Sequence, residues 1–211
     1  AIMLELLCFD KLLDENIERD CLDVLCQHLI GLFSANSGQI SIQCSIFIAS
    51  KIVKVYKQLK TPDLINIINL VITNTSEATI FCASYIFKMM DGISKSQIPR
   101  LINFILKQNR KDLRFASVNF LSCCFDIYGN LLEEFIPNAL KFIKEFMGDE
   151  DRIVIIECIN LLECLLQKFK MSLLIKFNFI DLINLLILIN QKKELKLQNE
   201  LSCLISKLAF K

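Results

Sequence analysis

The triplet Leu-Ile-Asn occurs three times in this chain, at Leu64-Ile65-Asn66, Leu101-Ile102-Asn103 and Leu182-Ile183-Asn184. Pro62 and Pro99 stand just upstream of the first two copies, and Pro137 falls one further period along, so the prolines step by 37 and 38 residues. Each period reads as two helices. Such a unit cannot bury its apolar faces alone, so neighbours must stack. The expectation is an all-α, right-handed α-solenoid of about five stacked helix pairs spanning residues 1–211. Its most regular repeats are expected at 61–95, 96–131, 132–170 and 171–211.

Composition supports a helical stack. Apolar residues make up 54% of the 211, while Gly and Pro together number only eight, too few punctuators for a sandwich or barrel. The apolar excess predicts helices buried on two sides, with some apolar surface kept for a partner. Both ends run in apolar helical rhythm, Ala1 to Leu7 and Leu204 to Phe210. Neither end has the polar outer face of a capping repeat, which predicts a segment of a longer protein or ends that meet other chains. The densest apolar stretch, Ile180 to Ile189, is interrupted by Asp181 and Asn184 and is too short to span a bilayer. No secretory signal is visible at the N-terminus.

Ten cysteines suggest disulfides or zinc, and the spacing argues against both. No C-x-x-C occurs, and His28 is the only histidine. Cys44, Cys82, Cys123, Cys158 and Cys203 recur instead at 38, 41, 35 and 45 residues, each in the second helix of its unit. Small apolar residues are needed where helices cross closely, and free cysteine behaves as one. Buried, reduced thiols are expected, and with them an intracellular location in cytoplasm or nucleus.

The apolar periodicity places helices and turns along the chain. Ser34 to Gly38 reads as a loop, followed by a helix over 39–60. Thr61-Pro62 is a helix opening, since Thr accepts a bond from a free N–H and Pro in the first turn has none to lose. Ile80, Ala83, Phe87 and Met90 are expected inward. So are Leu113, Phe120, Leu121, Cys124 and Tyr128 in the next unit, and Ile155, Cys158, Leu162, Leu165 and Phe169 in the one after. Turns are placed at residues 108–111, 148–151 and 191–194. The last unit has a longer lead-in from Met171 to Phe179 before a helix from Asp181.

This pattern resembles the HEAT and armadillo repeat families, most closely between Thr61 and Lys170. Asp112-Leu113-Arg114-Phe115-Ala116 is similar to the opening of the second helix of a HEAT unit. Val118-Asn119-Phe120-Leu121 and Ile159-Asn160-Leu161-Leu162 resemble the armadillo helix that carries an asparagine between apolar residues. The resemblance implies the fold and says little of function. It also implies a role for Asn119 and Asn160, 41 residues apart: armadillo asparagines line a groove and clamp the backbone of an extended peptide, each amide offering donor and acceptor. The tryptophans that accompany those asparagines are missing, and Tyr85 takes the equivalent place in the preceding unit.

Signs of catalysis are lacking. No phosphate-binding, dinucleotide-binding or nucleophile-elbow motif occurs. Glu133-Glu134 sits near a helix start, and Asp149-Glu150-Asp151 is expected to fill an exposed turn. No metal and no cofactor is expected. Charge is nearly balanced at +1 overall but unevenly spread. Residues 1–30 carry a net −5, whereas 31–60 carry only the bases Lys51, Lys54, Lys57 and Lys60. Lys107, Arg110, Lys111 and Arg114 gather about one turn, and Asp149, Glu150 and Asp151 occupy the equivalent turn of the next unit. Either these are solubilising loops or they form a partner-binding edge. The expected function is a non-catalytic protein-binding scaffold or adaptor, its partner an extended peptide or neighbouring subunits. Nucleic-acid binding is the lesser alternative, and a HEAT-type DNA glycosylase the least, because no aromatic platform of tryptophan and no continuous basic groove is evident.

Overall fold

The computed structural model describes residues 42–58, 65–89, 98–108, 110–177 and 179–192, with isolated positions at 24, 28, 30, 31, 202 and 206. All regular structure among them is helical, and no strand occurs. The helices are α1 (Ile42–Gln58), α2 (Ile65–Thr73), α3 (Glu77–Met89), α4 (Ile98–Leu106), α5 (Arg114–Tyr128), α6 (Ile136–Phe146), α7 (Arg152–Lys168), α8 (Met171–Lys176) and α9 (Phe179–Lys192). Short 3-10 turns at Lys111–Leu113, Gly129–Leu131 and Glu133–Phe135 lead into or out of α5 and α6. The expected Ser34–Gly38 loop, the Thr61-Pro62 opening, Lys60, Met90 and Cys203 lie outside the described residues, as does most of the expected first helix pair.

Two compact units divide the chain, residues 1–104 and 105–211, with the boundary inside α4. In the first, α1 and α2 both pack against α3. The start of α3 is built by a reciprocal pair: the Thr79 N–H donates to Ser76 Oγ at 3.2 Å, and the Ser76 N–H donates to Thr79 Oγ1 at 3.0 Å. This is the capping-box arrangement with Thr in place of the usual acid, and it satisfies donors that the first turn leaves open. The helix behind the cap buries Ile80, Cys82, Ala83, Ile86 and Phe87 completely. Lys51, one of the four bases of residues 31–60, is not a solubilising side chain. It is buried, with its ammonium 4.6 Å from the Phe47 ring centroid, a cation–π contact that offsets part of its desolvation.

In the second unit α7 is the central helix. It carries α5 along one side and α6 along another, while α9 packs on α6 and α8 on α9. Its apolar positions explain this: Val154, Ile155, Cys158, Ile159, Leu161, Leu162, Cys164, Leu165 and Leu166 are buried, an arc too wide for one neighbour to cover. Asp151 starts the helix, its Oδ1 accepting the Ile153 N–H at 2.9 Å. Pro137 sits in the first turn of α6, where no intrahelical donor is lost. Phe125 and Phe169 meet edge to face, with ring centroids 6.1 Å apart, closing one end of the α5–α7 seam.

The inward residues expected of α3, α5 and α7 are buried wherever they are described. Two details differ. The lead-in from Met171 is itself a short helix, and α9 begins at Phe179 rather than Asp181. Among the periodic cysteines, Cys82 and Cys158 are buried but Cys44 and Cys123 are half-buried; the fully buried thiol of α5 is the neighbour, Cys124. A period read from sequence carries an uncertainty of one residue, and one residue on a helix is a rotation of about 100°.

Candidate functional site

Asn119 and Asn160 lie on the solvent side of the α5–α7 seam, and a residue not singled out in the sequence joins them. Glu157 projects from α7 one turn before Asn160. Asn119 Nδ2 donates to Glu157 Oε1 at 2.8 Å, and Asn160 Nδ2 donates to Glu157 Oε2 at 3.0 Å. One carboxylate thus spans the seam, each oxygen held by an amide from a different helix. Asp112 and Asp126, seven residues to either side of Asn119, have partners of their own. Asp112 takes Arg110 in a two-pronged pair, 2.6 Å from Nη2 and 3.2 Å from Nε. That guanidinium holds the Asp112 carboxyl below its ordinary range. Asp126 meets Lys168 Nζ at 2.9 Å.

The same outward face continues along both helices. Half-buried Phe115 on α5, and Ile153 and Ile156 on α7, lie toward one end. Ile153 is 56% exposed, a large apolar side chain left in water. Ser122 and Cys164 cross the seam further along, the Cys164 thiol donating to the Ser122 carbonyl at 3.7 Å. Burial pushes that thiol up to about 11, with the Asp126 charge adding to the shift and Lys168 opposing it.

The charged turns have separate fates. Lys107, Arg110 and Lys111 are exposed. Arg114 leaves them: its Nη1 donates to Asp149 Oδ2, and its guanidinium lies 5.3 Å from the Phe146 ring centroid. The Asp149 side chain is only 7% exposed and that of Arg114 22%. Asp149 is therefore no solubilising carboxylate of an exposed turn, in contrast to Glu150 and Asp151, which are exposed as expected. Its second oxygen accepts the Asp151 N–H at 2.9 Å. Burial alone raises an acid's pKa. Here the Asp151 N–H and the Arg114 guanidinium outweigh it and hold Asp149 below the ordinary value. The pair ties the start of α5 to the turn before α7, 35 residues on.

His28 is exposed on a helical residue. Among the described residues no group of three or more His, Cys, Asp or Glu side chains is placed to hold a metal, and no helix is long and apolar enough to cross a membrane. Compared with known proteins, the chain matches no family model, no curated protein and no solved structure.

Proposed function

We propose that the chain is a non-catalytic protein-binding scaffold built as an α-solenoid of HEAT or armadillo type, and that the outer face of α5 and α7 is a docking surface. The observation that carries this reading is the meeting of Asn119 and Asn160. They lie at matching places in their helices, and they converge on one carboxylate because α5 and α7 pack side by side, as helices one repeat apart do in a stack. On this reading the packing of α9 on α6 would be the corresponding contact between first helices of successive units. A surface of this kind offers a line of polar groups flanked by apolar side chains, and its energy of binding comes from a few anchors within it. The exposed turn residues Lys107, Arg110, Lys111, Glu150 and Asp151 lie outside the Asn–Glu–Asn contacts and extend the candidate partner-binding surface.

Capture of partners from native lysate tests the reading. The whole chain should retain a protein partner, and Asn119→Ala with Asn160→Ala should weaken that partner by about 1–2 kcal/mol, the scale of two ordinary hydrogen bonds. The melting temperature should fall only modestly, since Asn160 is exposed and Asn119 half-buried, and water can replace part of what they give Glu157. Unaltered affinity in the double variant removes these asparagines from the docking surface.

A further inference from the structure

We infer that the face around Glu157 takes a cationic side chain, a guanidinium above all, from a protein partner, and that Glu157 rather than the two asparagines sets this preference. The inference rests on the reading of that face as the docking surface. Four other carboxylates of the second unit each meet a cation of their own: Asp149 with Arg114, Asp126 with Lys168, Asp112 with Arg110 and Glu145 with Lys141. Glu133, Glu134, Glu150, Asp151 and Asp181 stand exposed in water. Glu157 does neither. It is half-buried, and among the described residues its oxygens are held by two neutral amides and by no lysine or arginine. A carboxylate that has lost part of its water without gaining a counter-charge is a place where a cation binds with unusual gain.

Geometry makes the cation a planar one. The amides arrive one on each oxygen, so the carboxylate cannot swing, and an ionised carboxylate accepts about four hydrogen bonds, of which two are used. A pair of outward lone pairs on a fixed fork matches the two parallel N–H groups of a guanidinium. The carbonyl oxygens of Asn119 and Asn160 stand beside it as further acceptors. Ile153, four residues before Glu157 and therefore on the same side of α7, with Ile156 half-buried next to it, gives the methylene stem of an arginine an apolar bed.

The same arrangement disfavours an extended backbone as the primary ligand. One amide N–H from each asparagine is already spent on the carboxylate, and an arriving peptide carbonyl meets a negative charge where it needs donors. Phosphate is repelled for the same reason.

A random heptapeptide array probed with the intact chain tests this. Bound peptides should be enriched in arginine, then lysine, and the tightest peptide should weaken about tenfold or more toward Glu157→Gln, which keeps size and hydrogen-bonding capacity but removes the charge. Replacing the peptide arginine by citrulline, uncharged and nearly isosteric, should give a loss of similar size with the protein unaltered. Arginine enrichment absent from the array, or equal affinity for the arginine and citrulline peptides, overturns the inference. If peptides bind without that preference and are weakened by Asn119→Ala with Asn160→Ala, the docking surface stands and only the role of Glu157 falls. If no peptide binds, both fall.

Discussion

Arg114 and Asp149 show how much a single residue conceals when read in sequence. Arg114 was legible as part of a helix-opening pattern, and Asp149 as a turn residue among acids. That one buries its carboxylate against the other was not legible, because the partners are 35 residues apart and only packing of α5 on α7 joins them. Asp149→Ala leaves Arg114 facing Phe146 without its counter-charge. It should cost about 2–3 kcal/mol in urea denaturation, below the range for a fully buried pair because Arg114 keeps some contact with water. The dependence on pH has a definite sign. The Asp149 carboxyl lies below its ordinary value in the fold, so its contribution is complete above the unfolded value near about 4 and is lost as pH falls through the lowered one. The stability gap between the wild type and Asp149→Asn should therefore be wide at neutral pH and close in strong acid. A gap unchanged on acidification would remove the ion pair as its cause. Glu157 escaped notice for a related reason. Nothing in its local sequence marks it; the two asparagines were the available signal, and the residue they share appears only when their helices are side by side.

At the scale of the helix, periodicity was informative for α3, α5 and α7 but not throughout α1. There Ile46, Ala49 and Val53 share a face by spacing, yet Ile46 is exposed while the other two are buried. The runs that became α3, α5 and α7 place their inward residues correctly because each covers three turns or more, and burial on a packed helix follows the period. The six-residue α8 buries Leu174 alone, and a single buried residue makes no period. Two measurements bear on α7. Leu162→Ala, in a helix that two others lean on, should destabilise by about 3–4 kcal/mol, as deletion of a fully buried leucine does. Asp151→Ala, which removes only a cap at the exposed end of the same helix, should cost about 1 kcal/mol. Equal costs would mean that α7 is held by its own ends rather than by its neighbours. The cysteines on α5 and α7 supply a chemical check on the same packing. Burial raises the thiols of Cys124 and Cys158, with the Glu157 and Asp149 charges adding to Cys158, so thiolate is scarce where it is also inaccessible. Alkylation of the native protein should reach Cys44 and Cys123 first and Cys124 and Cys158 only on unfolding, as read by peptide mass. Early labelling of Cys158 would contradict the α5–α7 seam.

For the whole molecule, architecture is better marked than occupation. Apolar helix faces constrain the fold because they must be covered, while the residues on the outward face are under no such physical constraint and spell no partner. Charge bears on the choice between the two classes of macromolecule considered. Lys107, Arg110, Lys111 and Arg114 form one of the basic segments that a nucleic acid would use. In the folded second unit Arg114 is committed to Asp149, while Arg110 meets Asp112 only in an exposed pair. The chain as a whole carries only +1, with 24 bases against 23 acids, so no long-range field gathers a polyanion. Each phosphate neutralised on duplex DNA adds about −0.9 to the slope of log affinity against log salt, and tight binding takes several such contacts. Gel-shift titration with a 30-base-pair duplex (a length of about three helical turns) at two salt concentrations should therefore find weak association with a slope no steeper than about −3, the worth of Lys107, Lys111 and Arg110. A slope of about −5 or steeper, with affinity in the nanomolar range at the lower salt, would show that the arginines exchange their carboxylates for phosphates and would make nucleic acid the partner in place of protein.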